Sequence, residues 1–268
     1  MKKILLIVLA ILLLLYCLVA GVLYFIQEKI IFHPTPLPQN FRYSLKAIYS
    51  EHFLTTNDGK AHINLLWLKA KKTKGVIVYS HGNAGDLERW SNIVSYFTQF
   101  GYDVMVYDYR NYGKSTGELS EKNLLDDAQL VYNFAKEHFA EKQIICYGRS
   151  LGTGIATYLA ANNTPQKLIL ETPYYNLLDI GENYYLGIFP IQWLLKYHLR
   201  TDLRIIDVRC PILVFHGTAD EVIPYSSAEK LKKLLKPQDK FITVPNGTHN
   251  ELINYQEFTS SIAQELKP

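Results

Sequence analysis

The chain has 268 residues, 48% of them hydrophobic, with 28 Lys and Arg against 25 Asp and Glu. That length holds one large domain, or one domain with an appendage, around a sizeable core. The formal charge of +3 comes with no basic block, which excludes a nucleic-acid binder, and Cys17, Cys146 and Cys210 are too few and too far apart for a disulfide framework or a zinc site.

Residues 1–31 form a separate unit. Lys2 and Lys3 precede an uncharged run from Ile4 to Ile26, mostly Leu, Ile and Val. As a helix this run is roughly 35 Å long, enough to cross a bilayer core with some tilt. A cleaved signal peptide is the rival, but its apolar core is shorter, and Leu18-Val19-Ala20 is a poor cleavage site inside a run that continues past it. The expectation is an uncleaved anchor. Lys2, Lys3 and the amino terminus lie before it, while Glu28 and Lys29 nearly cancel after it, so the N-terminus is expected in the cytosol and the rest of the chain outside. Asn162 and Asn246 both match Asn-x-Thr, but a glycan on Asn246 would crowd His249, so that match reads as accidental, which favours a bacterial inner membrane with the domain facing the periplasm or exterior.

Pro34, Pro36 and Pro38 make residues 32–40 a stiff, extended connector, and the globular part is residues 41–268. Ser50–Thr55 and His62–Ala70 read as antiparallel strands joined by a turn at Asn57-Asp58-Gly59. Gly75–Ser80 is a continuous apolar run suited to a strand buried on both faces. It ends in His81-Gly82-Asn83-Ala84-Gly85-Asp86, and a helix is expected over Leu87–Gln99. Strand Tyr102–Tyr107 leads into Asp108-Tyr109-Arg110-Asn111-Tyr112-Gly113-Lys114-Ser115. The Gly-Lys-Ser here is not a phosphate loop, because Asp108 stands where that motif needs its first Gly. Helix Glu121–His138 follows.

Next comes Gly148-Arg149-Ser150-Leu151-Gly152, between the apolar run Gln143–Tyr147 and the helix-like stretch Thr153–Ala161. Strand, tight turn and helix around G-x-S-x-G describe a nucleophile elbow, whose glycines admit neighbours that a side chain would strike. Taken alone the pattern also fits a helix start with Ser150 as its cap. Strand Lys167–Glu171 follows. Strands alternating with helices predict a mostly parallel, doubly wound α/β sheet. The aromatic segment 174–209 interrupts the alternation and is a candidate lid, the plainer alternative being ordinary helical packing. Strand Pro211–His216, helix Tyr225–Leu235, strand Lys240–Val244 and a last helix complete the chain. Cys146 and Cys210 fall beside strands, and all three cysteines are expected to act as small buried hydrophobes.

A serine hydroxyl needs a base, and the base needs an orienting group. Ser150, Asp220 and His249 each follow a strand, in the order Ser, Asp, His. His249 is the only histidine after Asp220, whereas His81 and His216 sit beside glycines at strand ends and are expected to fix loops. Glu221, Asp179 and Asp207 are weaker rivals to Asp220. The amides of Leu151 and Asn83 are the candidate oxyanion donors.

With these segments, and with His216-Gly217-Thr218-Ala219-Asp220-Glu221-Val222-Ile223-Pro224, residues from about 41 onward resemble the α/β-hydrolase superfamily. They look closest to its single-pass, membrane-anchored serine hydrolases, which include esterases and protein depalmitoylases. Asn111 departs from the Gly usual at its position. The resemblance implies an α/β-hydrolase fold with a small helical lid behind an N-terminal transmembrane helix. It also implies a Ser-His-Asp mechanism that cleaves carboxylic esters or thioesters of lipid-like acyl groups and needs no metal or organic cofactor. An amidase or peptidase of the same fold, or a non-catalytic tethered binding domain, are the alternatives. The expected partners are a small acyl substrate and the membrane, and the sequence leaves the oligomeric state open.

Overall fold

A computed structural model describes residues 1–185 and 188–267. Side chains alternate between the two faces of a strand, and the central strands are buried on both. Val76 and Val78 enter one core while Ile77 and Tyr79 enter the other. This is why Gly75–Ser80 reads as a continuous apolar run and not as an alternating one.

Numbered in chain order, the main-sheet strands are β1 (Tyr49–Thr55), β2 (His62–Leu68), β3 (Gly75–Ser80), β4 (Tyr102–Tyr107), β5 (Ile144–Arg149), β6 (Lys167–Glu171), β7 (Ile212–Gly217) and β8 (Lys240–Val244). Among the described residues their order across the sheet is β8-β7-β6-β5-β3-β4-β2-β1. The strands from β8 to β4 are parallel, and β2 and β1 add an antiparallel hairpin at one edge. β2 is likewise buried on both faces: Ile63, Leu65 and Trp67 face one core, Leu66 and Leu68 the other.

Helices α3 (Glu121–Lys136) and α4 (Gly152–Asn162) cover one face through Leu124, Val131, Ile155 and Leu159. Helices α2 (Leu87–Val94) and α8 (Gln256–Leu266) cover the other through Leu87, Trp90, Phe258 and Ile262. The helix expected over Leu87–Gln99 is shorter. After Val94 it tightens into a 3-10 turn, Ser95–Phe100, where Ser95 and Thr98 hydroxyls donate to the carbonyls of Asn92 and Ser95.

Helix α1 (Lys2–Ile31) is long, apolar and exposed over most of its length. It carries Cys17, which lies on its surface, so only Cys146 and Cys210 are buried as the sequence led one to expect. The chain leaving α1 is extended at His33–Pro34 and pairs in parallel with Ala84–Gly85, and Pro36 bridges to Gly113.

In the segment 174–209 lie α5 (Leu177–Tyr185), α6 (Ile191–Leu194) and α7 (Thr201–Arg204). Leu186 of this segment lies outside the described residues. Tyr174, Tyr197, Leu199, Ile205 and Val208 of this segment belong to the central core, and Leu177 and Ile180 pack against it.

The chain runs from β3 outward to β4, then returns to build β5 on the other side of β3. That reversal opens a crevice at the carboxyl ends of β3 and β5, where open α/β sheets bind ligands.

Candidate active site

Ser150 stands at the end of β5, in the crevice. Its φ is +52°, in the left-handed region that costs an L-residue roughly 1–2 kcal/mol. Two glycines make that turn possible. A Cβ on Gly152 would lie 2.0 Å from the Ser80 carbonyl oxygen, and one on Gly148 would lie 2.4 Å from the Gly152 carbonyl oxygen. The turn is pinned by the Ser150 amide, which donates to Glu171 O at 2.9 Å, and by the Thr153 amide, which donates to Ser150 O at 2.9 Å.

Asp220 follows β7 and His249 follows β8. The Ser150 hydroxyl donates to His249 Nε2 at 2.9 Å. On its other side the imidazole donates from Nδ1 to Asp220 Oδ2 at 2.8 Å and Oδ1 at 3.0 Å. The carboxylate sets this tautomer, since it accepts only. All three side chains are buried. Burial pushes the Asp220 carboxyl up, but the hydrogen bond and charge of His249, the Ile223 amide and His216 outweigh it, and the group stays below its ordinary value. Amides of Val222 and Ile223 donate to Asp220 Oδ1 at 2.9 and 2.7 Å, which holds the carboxylate in one orientation. A hydroxyl on a neutral imidazole backed by a buried carboxylate can lose its proton when it attacks a carbonyl.

Asn83 and Leu151 both border the cavity next to Ser150. Among the described residues neither amide donates to a protein acceptor. The Asn83 loop is held from three directions. Its carbonyl accepts from the His33 amide at 2.8 Å and from Tyr112 Oη at 2.6 Å, and its side-chain amide donates to Ile31 O at the end of α1, at 3.0 Å. Tyr109 Oη donates to the neighbouring His81 carbonyl at 2.6 Å.

The two other loop histidines have no route to Ser150 in these bonds. His81 Nδ1 donates to Gly82 O at 2.6 Å, and burial pushes its imidazole down to about 4. His216 Nε2 donates to Ile223 O at 2.9 Å. Glu221 and Asp207 are exposed, and Asp179 binds Ser227 and Lys230. Lys114 is buried against Glu51 at 2.5 Å and donates to Phe41 O at 3.0 Å, so the rejected phosphate loop is a structural corner.

Arg149 is a supporting residue that the motif alone does not reveal. Its guanidinium pairs with buried Glu171 at 3.2 Å and donates to Asn250 O at 3.1 Å, beside His249. Glu171 in turn accepts from Tyr147 Oη at 2.5 Å. The x of G-x-S-x-G thus ties the serine turn to the histidine loop.

The cavity beside Ser150 encloses about 490 Å³, within the range of small-molecule sites. Tyr174, Leu177, Ile180, Ile191, Leu194 and Ile223 supply much of its apolar wall. Four residues of α1 also line it, namely Leu23, Gln27, Ile30 and Ile31. Of these only Gln27, a lone amide at the end of an apolar run, carried a signal in the sequence.

Comparisons with known proteins agree with this architecture. The sheet and its helices are an α/β-hydrolase fold: an esterase from Pyrococcus furiosus, Pf2001, matches with a TM-score of 0.68 over 87% of this chain and 98% of that one, at 17% identity. A family profile described as Serine aminopeptidase, S33, matches residues 71–198. An uncharacterized protein of Mycobacterium tuberculosis, Rv2307c, is 27% identical over 238 residues, covering 87% of this chain and 84% of that one. The lysophosphatidylserine lipase ABHD12 of Danio rerio is 30% identical over 183 residues, covering 59% of this chain and 47% of that one, so the similarity spans about half the lipase. The chain is a hydrolase of the α/β-hydrolase superfamily. Within it, the chain resembles the membrane-anchored proteins that carry such a domain.

Proposed function

We propose that the protein is a membrane-anchored serine hydrolase that cleaves carboxylic esters or thioesters of lipid-like acyl groups. The observation that carries this reading is the bonded series from Ser150 through His249 to Asp220, set at the mouth of an apolar cavity. Ser150 attacks the acyl carbonyl while His249 takes its proton, and Asp220 orients and stabilises the imidazolium. The amides of Leu151 and Asn83 hold the oxyanion; such a donor is typically worth about 3 kcal/mol in the transition state. His249 then protonates the leaving group, and water clears the acyl-enzyme by the same route in reverse.

Residues 1–31 act as an uncleaved anchor, 32–40 as the connector and 41–268 as the hydrolase domain, with the first half of 174–209 as a lid over the cavity. Lys2 and Lys3 favour an N-terminus in the cytosol and a domain on the far side, as in a bacterial inner membrane. Lipid-like substrates gain support from the lysophosphatidylserine lipases among the relatives.

The serine aminopeptidase profile favours a second reading, an amidase or peptidase. Capture of a free amino group calls for a carboxylate in the pocket, and among the described residues the cavity lining contains no Asp or Glu. The ester reading is therefore preferred. Its test is hydrolysis of an ester, a thioester and an anilide that share one acyl group, by the full-length protein in detergent. Ester and thioester turnover should exceed that of the anilide and fall about 10³-fold or more in Ser150→Ala. Anilide turnover equal to that of the ester would favour the amidase.

A further inference from the structure

Helix α1 does more than lead into the domain. Gln27 is 7% exposed, although it follows an uncharged run of more than twenty residues. Its side-chain amide donates to Leu194 O at 2.9 Å, and its oxygen accepts the Lys196 amide at 2.7 Å. A buried amide with both ends bonded is a specific join, because an unpaired one would be costly. The end of the helix is bonded through Ile31 O to the Asn83 side chain. Further toward the N-terminus, Tyr16 Oη donates to Ile188 O at 3.1 Å, and the Tyr16 ring stacks on Phe189 at 5.1 Å.

Tyr16 and Gln27 are about 16 Å apart along a helix axis. The segment 188–195 therefore accompanies α1 well into the stretch that has the length and composition to lie in a bilayer. Around this junction large apolar side chains are exposed, Trp193 by 80%, Phe25 by 77% and Ile188 by 61%, with Gln192 and Lys196 exposed beside them. Large apolar side chains left exposed side by side with an apolar helix suit a membrane or binding face. Behind it, Leu23 and Ile30 of α1 face the same cavity as Ser150.

We propose that α1 and the segment 188–195 together form a membrane-embedded acyl-chain site. The fatty chain of an ester enters sideways from the lipid leaflet, lies against Leu23 and Ile30, and presents its carbonyl to Ser150. The ligand class is a long-chain acyl ester or thioester drawn from the bilayer rather than from water. This rests on the serine hydrolase reading and adds that the anchor is part of the substrate site.

The test is the acyl-chain profile of the full-length protein in detergent, from acetyl to dodecanoyl esters, together with fluorophosphonate labelling of Ser150. Each buried methylene should favour the longer substrate by about fourfold until the cavity is full. Leu23→Trp fills the channel, and the octanoyl-to-acetyl ratio should fall at least tenfold. Leu23→Ala widens it and should move the optimum to longer chains, which keeps the test usable if the Trp variant does not fold. Val22→Trp, one position along on a face that is 47% exposed, should leave the profile as in the wild type. A wild type that labels at Ser150, with Leu23 variants whose profile is unchanged, would overturn the acyl site and leave the hydrolase reading standing. Absence of both labelling and ester turnover in the folded wild type would overturn the two together.

Discussion

Ser150 and Asn111 both occupy the left-handed region, at φ +52° and +68°, and they differ in what holds them there. Asn adopts that region readily, so Asn111 replaces the usual Gly of its turn at little cost. Ser150 does not, and its strain is held by the backbone bonds and glycines around it. His216 gives a prediction at the same scale. Burial holds its imidazole below the ordinary value, against the pull of Asp220 at 3.4 Å, and the nearby His249 lowers it further. An unfolded chain protonates this histidine near pH 6.5 while the fold does not, so its contribution to stability is lost as pH falls below that value. The depressed Asp220 carboxyl acts in the same direction only in stronger acid, below about pH 4. The melting temperature should therefore drop between pH 7.5 and 5, and by less in His216→Asn. Equal drops would show that His216 is not buried neutral. At this scale the sequence was informative where geometry forces a residue type. Gly148 and Gly152 were legible because nothing larger fits, and Ser150, Asp220 and His249 because each follows a strand, in the order Ser, Asp, His. The Arg149–Glu171 pair was not, because their contact depends on β5 and β6 being neighbours.

Strands were easier to read than helices. Apolar runs such as Gly75–Ser80 and Lys167–Glu171 carry their own ends, marked by Gly, Pro or charge. The Leu87–Gln99 stretch kept helical spacing through Phe97, yet the structure tightens after Val94, because Ser95 and Thr98 hydroxyls bond to backbone carbonyls there. Strand order, and with it the crevice, depends on pairing between distant segments and is not written in local periodicity. The element that ties this crevice together is the junction of β5 with β6 and the loop after β8. Arg149 and Glu171 are 8% and 7% exposed. Arg149→Met strands a buried carboxylate and should destabilise the fold by about 3–5 kcal/mol. Adding Glu171→Gln removes that charge while leaving an acceptor for Tyr147, and should recover much of the loss in denaturant unfolding. Equal stability of the single and double variants would mean that the ion pair is not what the core depends on.

In the molecule as a whole, helix α1 and the α/β domain share one cavity. Composition revealed the length of α1 but not its place in the cavity wall, since its exposed side and the side that lines the cavity are both apolar, and a helix apolar all round shows no periodicity. The proline-rich segment was legible as extended. Its docking on Ala84–Gly85 was not, because a two-residue pairing has no pattern. The central claim remains chemical: Ser150 is a nucleophile made reactive by His249. It is tested most directly by covalent labelling with a fluorophosphonate probe, on the folded full-length protein in detergent, for the wild type, Ser150→Ala and His249→Ala. The account predicts stoichiometric labelling of the wild type on Ser150, none in Ser150→Ala, and labelling slowed about 10³-fold or more in His249→Ala. Labelling that persists in Ser150→Ala, or proceeds at the wild-type rate in His249→Ala, would contradict it.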